Sequence, residues 1–340
     1  MKLSQWFGLA VLLMSAYILW QLRQAVLLVF LAIVLTTALN RGVKFLGDHF
    51  GLRRSRSTLL VLGLSGGLIS LFFALIVPPF LDQFQMLVEL WPQIWQKLDG
   101  FLDFLQAQET ALGLNLVLSQ QSPLQTLSNL APTLFQRSLT LFSNSAIVTV
   151  QMIFVLALTV MMLGNPQPYR QHLLKLLPAF YRRRADEILT LSEMALGNWL
   201  TGIALSSVFI GLMCGLGVWA LGIKLVLVHG LMAGILNFIP NIGPAASVVF
   251  PVMIALLGEP WKIGAVLVLY FIIQNIESYW LTPMIMAKQV SLLPALTLMA
   301  QIIFTTFFGL WGLILALPLT VVAKTWVEEA LFKDILDQWS

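Results

Sequence analysis

The stretch Asn237-Phe238-Ile239-Pro240-Asn241-Ile242-Gly243-Pro244 sits in the middle of an apolar run from Leu225 to Leu257. That run is too long for one ordinary membrane-spanning helix of roughly 20 residues. Pro240 and Pro244 remove backbone donors at its centre, and a proline inside a helix kinks or breaks it. Two helical halves meeting at the motif are therefore predicted. In hydrocarbon a lost backbone hydrogen bond is costly, so a break at membrane depth survives only where protein or a water-filled cavity surrounds it. Unwound backbone near the midplane offers free N–H and C=O groups, and carriers build solute sites from such breaks.

The surroundings repeat the pattern. From Leu200 to Ala323 the chain is almost uncharged yet punctuated by Pro240, Pro244, Pro251, Pro260, Pro283, Pro294 and Pro318. Late in the apolar segment Ile263 to Trp280 stand Gln274, Asn275 and Glu277, followed by Thr282-Pro283. A carboxylate inside the membrane is expensive and marks a functional site by default. Gln274 and Glu277, three apart, would share a helix face. The competing reading makes Glu277 an interfacial residue beside Tyr279 and Trp280 in an aromatic belt. Gly309-Leu310-Trp311-Gly312, continuing to Pro318, offers a small-residue face for close helix packing. His229 reads as an interfacial histidine rather than a proton relay, and no second His or carboxylate lies at metal-ligand spacing. The candidate solute path is thus Asn237, Pro240, Asn241, Gly243, Pro244, Gln274, Glu277 and Pro283, with no metal and no cofactor.

Composition sets the class. Of 340 residues, 59% are hydrophobic and 10% charged, where soluble domains carry about 25% charge, and the mean hydropathy is +0.89. The expected fold is all-α and integral to the membrane. Lys and Arg, net +4, cluster beside apolar spans, where positive-inside topology accounts for them and nucleic-acid binding is not needed. Cys214 is the single cysteine, which leaves no intrachain disulfide and no Cys-based metal cluster.

Toward the N-terminus, an uncleaved helical hairpin and a basic cytoplasmic loop (Arg41, Lys44, Arg53, Arg54, Arg56) occupy 1–57, and a third span, 58–78, ends at Pro78-Pro79. Over 79–138 lies an external acidic amphipathic segment, with Phe84, Leu87, Trp91, Ile94, Leu98, Phe101 and Leu105 on one face. It either lies on the membrane or another subunit, with Trp91 and Trp95 at headgroup depth, or covers its own bundle. A fourth span, 139–163, stops at Gly164-Asn165-Pro166. The basic amphipathic segment 164–199, with Arg170, Lys175 and Arg182-Arg183-Arg184, lies along the cytoplasmic leaflet, as an orientation signal first and a lipid-binding face second. A transport core at 200–325 and a mixed-charge, solvated tail at 326–340 complete the chain.

The motif around Pro240, then Gln274 and Glu277 with Pro283, then Gly309 and Gly312 with Pro318, resemble the signature of the AI-2E family of bacterial transporters, the autoinducer-2 exporter family, and the order of segments along nearly the whole chain is similar too. The resemblance implies about eight spans, homo-oligomerisation as a pentamer, residence in the bacterial inner membrane, and export of a small solute without ATP. No Gly-x-x-x-x-Gly-Lys-[Ser/Thr] loop and no zinc-binding helix occurs, so neither phosphate cradling nor zinc-dependent catalysis has a foothold. Three readings follow: a carrier for a polyol-like solute held by Asn237, Asn241 and Gln274; a Na+/H+ antiporter using Glu277; and a non-transporting membrane scaffold whose amphipathic segments recruit a partner. The side on which the C-terminus lies stays open.

Overall fold

The structure, a computed structural model, describes residues 14, 17, 18, 20–112, 145–239, 242–259, 261–281 and 293–337. Those residues are helical nearly throughout. In chain order the helices are α1 (Arg23–Phe50), α2 (Arg54–Leu75), α3 (Val77–Leu112), α4 (Ser145–Gly164), α5 (Pro166–Lys175), α6 (Arg182–Ala220), α7 (Val226–Leu236), α8 (Ile242–Ser247), α9 (Val249–Leu257), α10 (Trp261–Ile276) and α11 (Pro294–Trp326). Two π-wound stretches extend α10 over Glu277–Leu281 and α11 over Val327–Leu336.

By length and apolarity five of these helices can cross a membrane, or six if the bent pair Val148–Gly164 and Pro166–Lys175 is one span. The chain is a multi-pass membrane protein, with fewer described spans than the eight expected. The first expected span falls almost wholly outside the described residues. The broken run supplies two short apolar helices, Val226–Leu236 and Ile242–Leu257, in place of one rod, which are the two halves anticipated at the Pro240 motif.

Several boundaries differ from the sequence reading for local reasons. Helix α1 continues through Arg41 and Lys44 to Phe50, so the basic loop shrinks to Gly51–Arg53; Gly51, at φ 63°, is the left-handed residue that ends the helix. Pro78 and Pro79 do not close a span but open α3, because N–H groups in a first turn have no intrahelical partner to lose. Gly164-Asn165-Pro166 does end α4, and the chain turns 95° into α5. Position 199 is no boundary, since α6 runs unbroken for 39 residues, about 58 Å, from the basic segment into the apolar one.

The chain divides into two compact units: the described parts of Met1–Leu68, Val150–Ile203 and Ile285–Ser340, and those of Ile69–Thr149 and Ala204–Met284. In the first, Leu27 and Val34 of α1, Leu196, Trp199 and Ile203 of α6, and Leu315, Leu317 and Val321 of α11 form one core. Polar ties surround it. Asn40 donates to Glu193 at 3.2 Å and accepts from Arg54 at 3.0 Å, while Arg54 also reaches the carbonyl of Leu163 at 3.1 Å. The tail is not free in solvent: Arg184 pairs with Glu329 at 2.8 Å and Asp334 at 3.0 Å, and Tyr181 donates to Asp334 at 2.9 Å. Gly309, with φ 63° and ψ −145°, breaks α11. A Cβ at Gly312 would fall on the Phe304 carbonyl, so at Gly312 the chain approaches itself; Pro318 lies inside the same helix.

The second unit is built on Ile210, Cys214 and Val218 of α6, Val228 and Ala233 of α7, Ile254 and Ala255 of α9, and Val266, Tyr270 and Ile273 of α10. Helix α3 joins it through buried Ile94, with Phe80, Phe84 and Leu90 packed beside. In this half of α3 the apolar face covers its own bundle; the side chains of Leu87, Trp91, Trp95, Leu98, Phe101 and Leu105 lie outside the described set. His229 is also part of the interior, fully buried rather than at a headgroup surface.

Candidate functional site

Helices α6 and α7 approach within backbone contact because both carry glycine at four-residue spacing. A Cβ added at Gly211 would lie 3.0 Å from the Gly230 carbonyl, one at Gly230 would lie 2.9 Å from that of Gly211, and one at Gly234 would lie 2.9 Å from that of Ser207. Small residues at this spacing let helices close up in a membrane. The approach carries the end of α7 over Ser206 and Ser207. Asn237, buried in the turn after α7, donates through Nδ2 to Ser206 Oγ at 3.1 Å and to Ser207 Oγ at 3.4 Å.

From the other side comes α10. Its last turn widens to π geometry at Glu277, a deviation that recurs at functional positions. Gln274 and Glu277 do share a face, with Gln274 Nε2 donating to Glu277 Oε2 at 3.3 Å. The hydroxyl of Ser206 donates to Glu277 Oε1. Three donors thus run toward the carboxylate: Asn237 to Ser206, Ser206 to Glu277, Gln274 to Glu277. The carbonyl oxygens of Asn237 and Gln274 take part in none of these bonds. Tyr279 and Trp280 are 80% and 62% exposed while Glu277 is half-buried, so the aromatic pair and the carboxylate face different surroundings within two turns.

Gly243 belongs to the same construction, since a Cβ there would fall on the carbonyl of Leu236 and its N–H donates to the Ile239 carbonyl at 2.8 Å. Pro244 lies in α8. Pro240, Asn241 and Pro283 lie outside the described residues. Gly309, Gly312 and Pro318 belong to the first unit. Ser206 and Ser207, the link between Asn237 and Glu277, are the partners the sequence reading missed. Their signal was available: two adjacent hydroxyls in an apolar stretch, with Ser207, Gly211 and Gly215 at four-residue steps.

The whole order of segments can be compared with known proteins. The model of the AI-2E family transporters matches residues 9–332. The chain belongs to the AI-2E family. Among AI-2E-like sequences, the AI-2 transport protein TqsA of Escherichia coli (strain K12) is 30% identical over 212 residues, 59% of this chain and 57% of TqsA. YrrI of Bacillus subtilis (strain 168) is 30% identical over 149 residues, 44% of this chain and 42% of YrrI. YueF of the same organism is 26% identical over 205 residues, 60% of this chain and 56% of YueF. The chain thus spans about half the length of the curated relatives it matches. Membership of this family agrees with several apolar helices and with a polar cluster contributed by α6, the turn after α7, and α10 with its π-wound extension.

Proposed function

We propose that this AI-2E protein is a secondary, ATP-independent carrier that exports a small, neutral, hydroxyl-rich solute of the autoinducer-2 kind across the bacterial inner membrane, working as a homo-oligomer, a pentamer as the family resemblance implies. The observation that carries this reading is the direction of the hydrogen bonds around Glu277. Side-chain donors are spent on the carboxylate, which leaves amide carbonyls of Asn237 and Gln274 as acceptors. A solute bearing several hydroxyls supplies the missing donors, whereas an anion would meet a carboxylate and carbonyl oxygens and be repelled. The test is efflux of labelled autoinducer-2 from proteoliposomes, beside an organic anion of equal size. The neutral solute leaves and the anion stays; Asn237→Ala and Glu277→Gln each abolish the flux. Unchanged efflux in both variants removes the cluster from the mechanism.

A second reading rests on Glu277 itself, a carboxylate set among neutral donors in an apolar unit: Na+/H+ antiport with Glu277 carrying the exchanged ion. Proton flux driven by a Na+ gradient supports it. Persistence of that flux in Glu277→Gln rules it out.

A further inference from the structure

Two side chains of α3 bond to opposite ends of the broken helix pair. Gln83 Oε1 accepts from the backbone N–H groups of Leu227, at 3.1 Å, and Val228, at 3.3 Å, in the first turn of α7. Lys97 Nζ donates to the carbonyl of Leu257, the last residue of α9, at 2.9 Å. Each bond satisfies a group that a helix end leaves without an intrahelical partner. Helix α7 has no side-chain cap of its own to do this. Leu225, the residue before α7, has no side-chain acceptor and stands at φ 66°, ψ 38°, a backbone conformation that leucine rarely adopts. Gln83 and Lys97 are fourteen positions apart on α3, about 21 Å along its axis, and Ile94 between them is buried in the same core as Val228 and Ile254.

Between the held ends lies the chain that carries Asn237 and Gly243. Helix α7 meets α6 through Gly211, Gly230 and Gly234, backbone against backbone, within a core that also holds Ile210, Cys214 and Val228. The position of Asn237 depends on that contact together with what holds the far end of α7. We propose that α3 is a strap, and that Gln83 and Lys97 are positioning residues that set Asn237 against Ser206 and so decide whether the polar cluster is closed. The strap is a property of the protein alone and is independent of which solute moves.

Amide hydrogen exchange on the full chain in detergent tests it with no ligand present. In Gln83→Leu and in Lys97→Met, exchange rises about fivefold, the worth of one hydrogen bond, at the helix end that has lost its partner and also at the turn 237–239. Gln83→Glu, which keeps the acceptor, and Lys97→Arg, which keeps the donor, exchange like the parent protein. A rise confined to the local helix end makes the bonds ordinary caps and overturns the strap, as does an equal rise in the conservative variants. If Gln83→Leu loses its fold, seen as faster exchange in α1 as well, Lys97→Met decides alone, because that side chain is exposed.

Discussion

The carboxamide of Asn237 and the hydroxyl of Ser206, 31 residues apart in sequence, are joined by a hydrogen bond of 3.1 Å. Ser206 is the only described residue bonded to both Asn237 and Glu277, whereas Ser207 is bonded to Asn237 alone. Ser206→Ala leaves two polar groups short of a partner, and such a loss next to a charged group costs about 1.5–3 kcal/mol. The expected outcome is a transport rate lower by on the order of tenfold or more, with a smaller loss in Ser207→Ala. Initial efflux rates from vesicles compare the two, and equal losses would refute the ordering.

Gly230 should not tolerate a side chain. Gly230→Leu forces α6 and α7 apart, an overpacking cost of about 1–3 kcal/mol or more. Gly264, with nothing within 4 Å of an added Cβ, is the control: Gly264→Ala is neutral or stabilises by about 0.5–1 kcal/mol. Thermal unfolding in detergent reads both.

At Gly309 the constraint is conformational, not steric, since no atom lies within 4 Å of an added Cβ while φ is +63°. Gly309→Ala costs about 1–3 kcal/mol through the backbone alone. A lowered melting temperature, not rescued by trimming Phe304 or Phe308 to a smaller side chain, is the expected result.

Arg184→Gln removes both ion pairs to Glu329 and Asp334. Partly exposed pairs of this kind contribute about 1 kcal/mol at most. The effect is local: trypsin cuts after Lys333 about fivefold faster, without a matching fall in global stability. High salt speeds cleavage of the parent protein in the same direction by screening.

Much of this was legible in the residues. Helix breaks are written in proline and glycine, so the interruption between α7 and α8 and the stop at Asn165 could be placed. Pairing within one helix could be placed too, as Gln274 with Glu277. Contacts between helices could not. Ser206 meets Asn237 because glycines on two helices coincide in space, and nothing in a single apolar stretch tells which other stretch it will face. Pro78 and Pro79 were misread for a related reason: a proline reports where a helix cannot continue behind it, and two helices that abut put that point at a start. The charged tail looked solvated because its partner, Arg184, stands 145 residues away from Glu329.

The wide turn at Glu277 carries a lesson about ancestry. A π-helical turn is an α-helix holding one residue more than its winding needs, and each residue turns the helix by about 100°. Deleting Ile276, the residue before Glu277, would keep a rod of nearly the same reach yet swing the acid away from Ser206. An acidic group can therefore be added to or removed from an oily interior by a single codon insertion or loss, with the membrane crossing left whole.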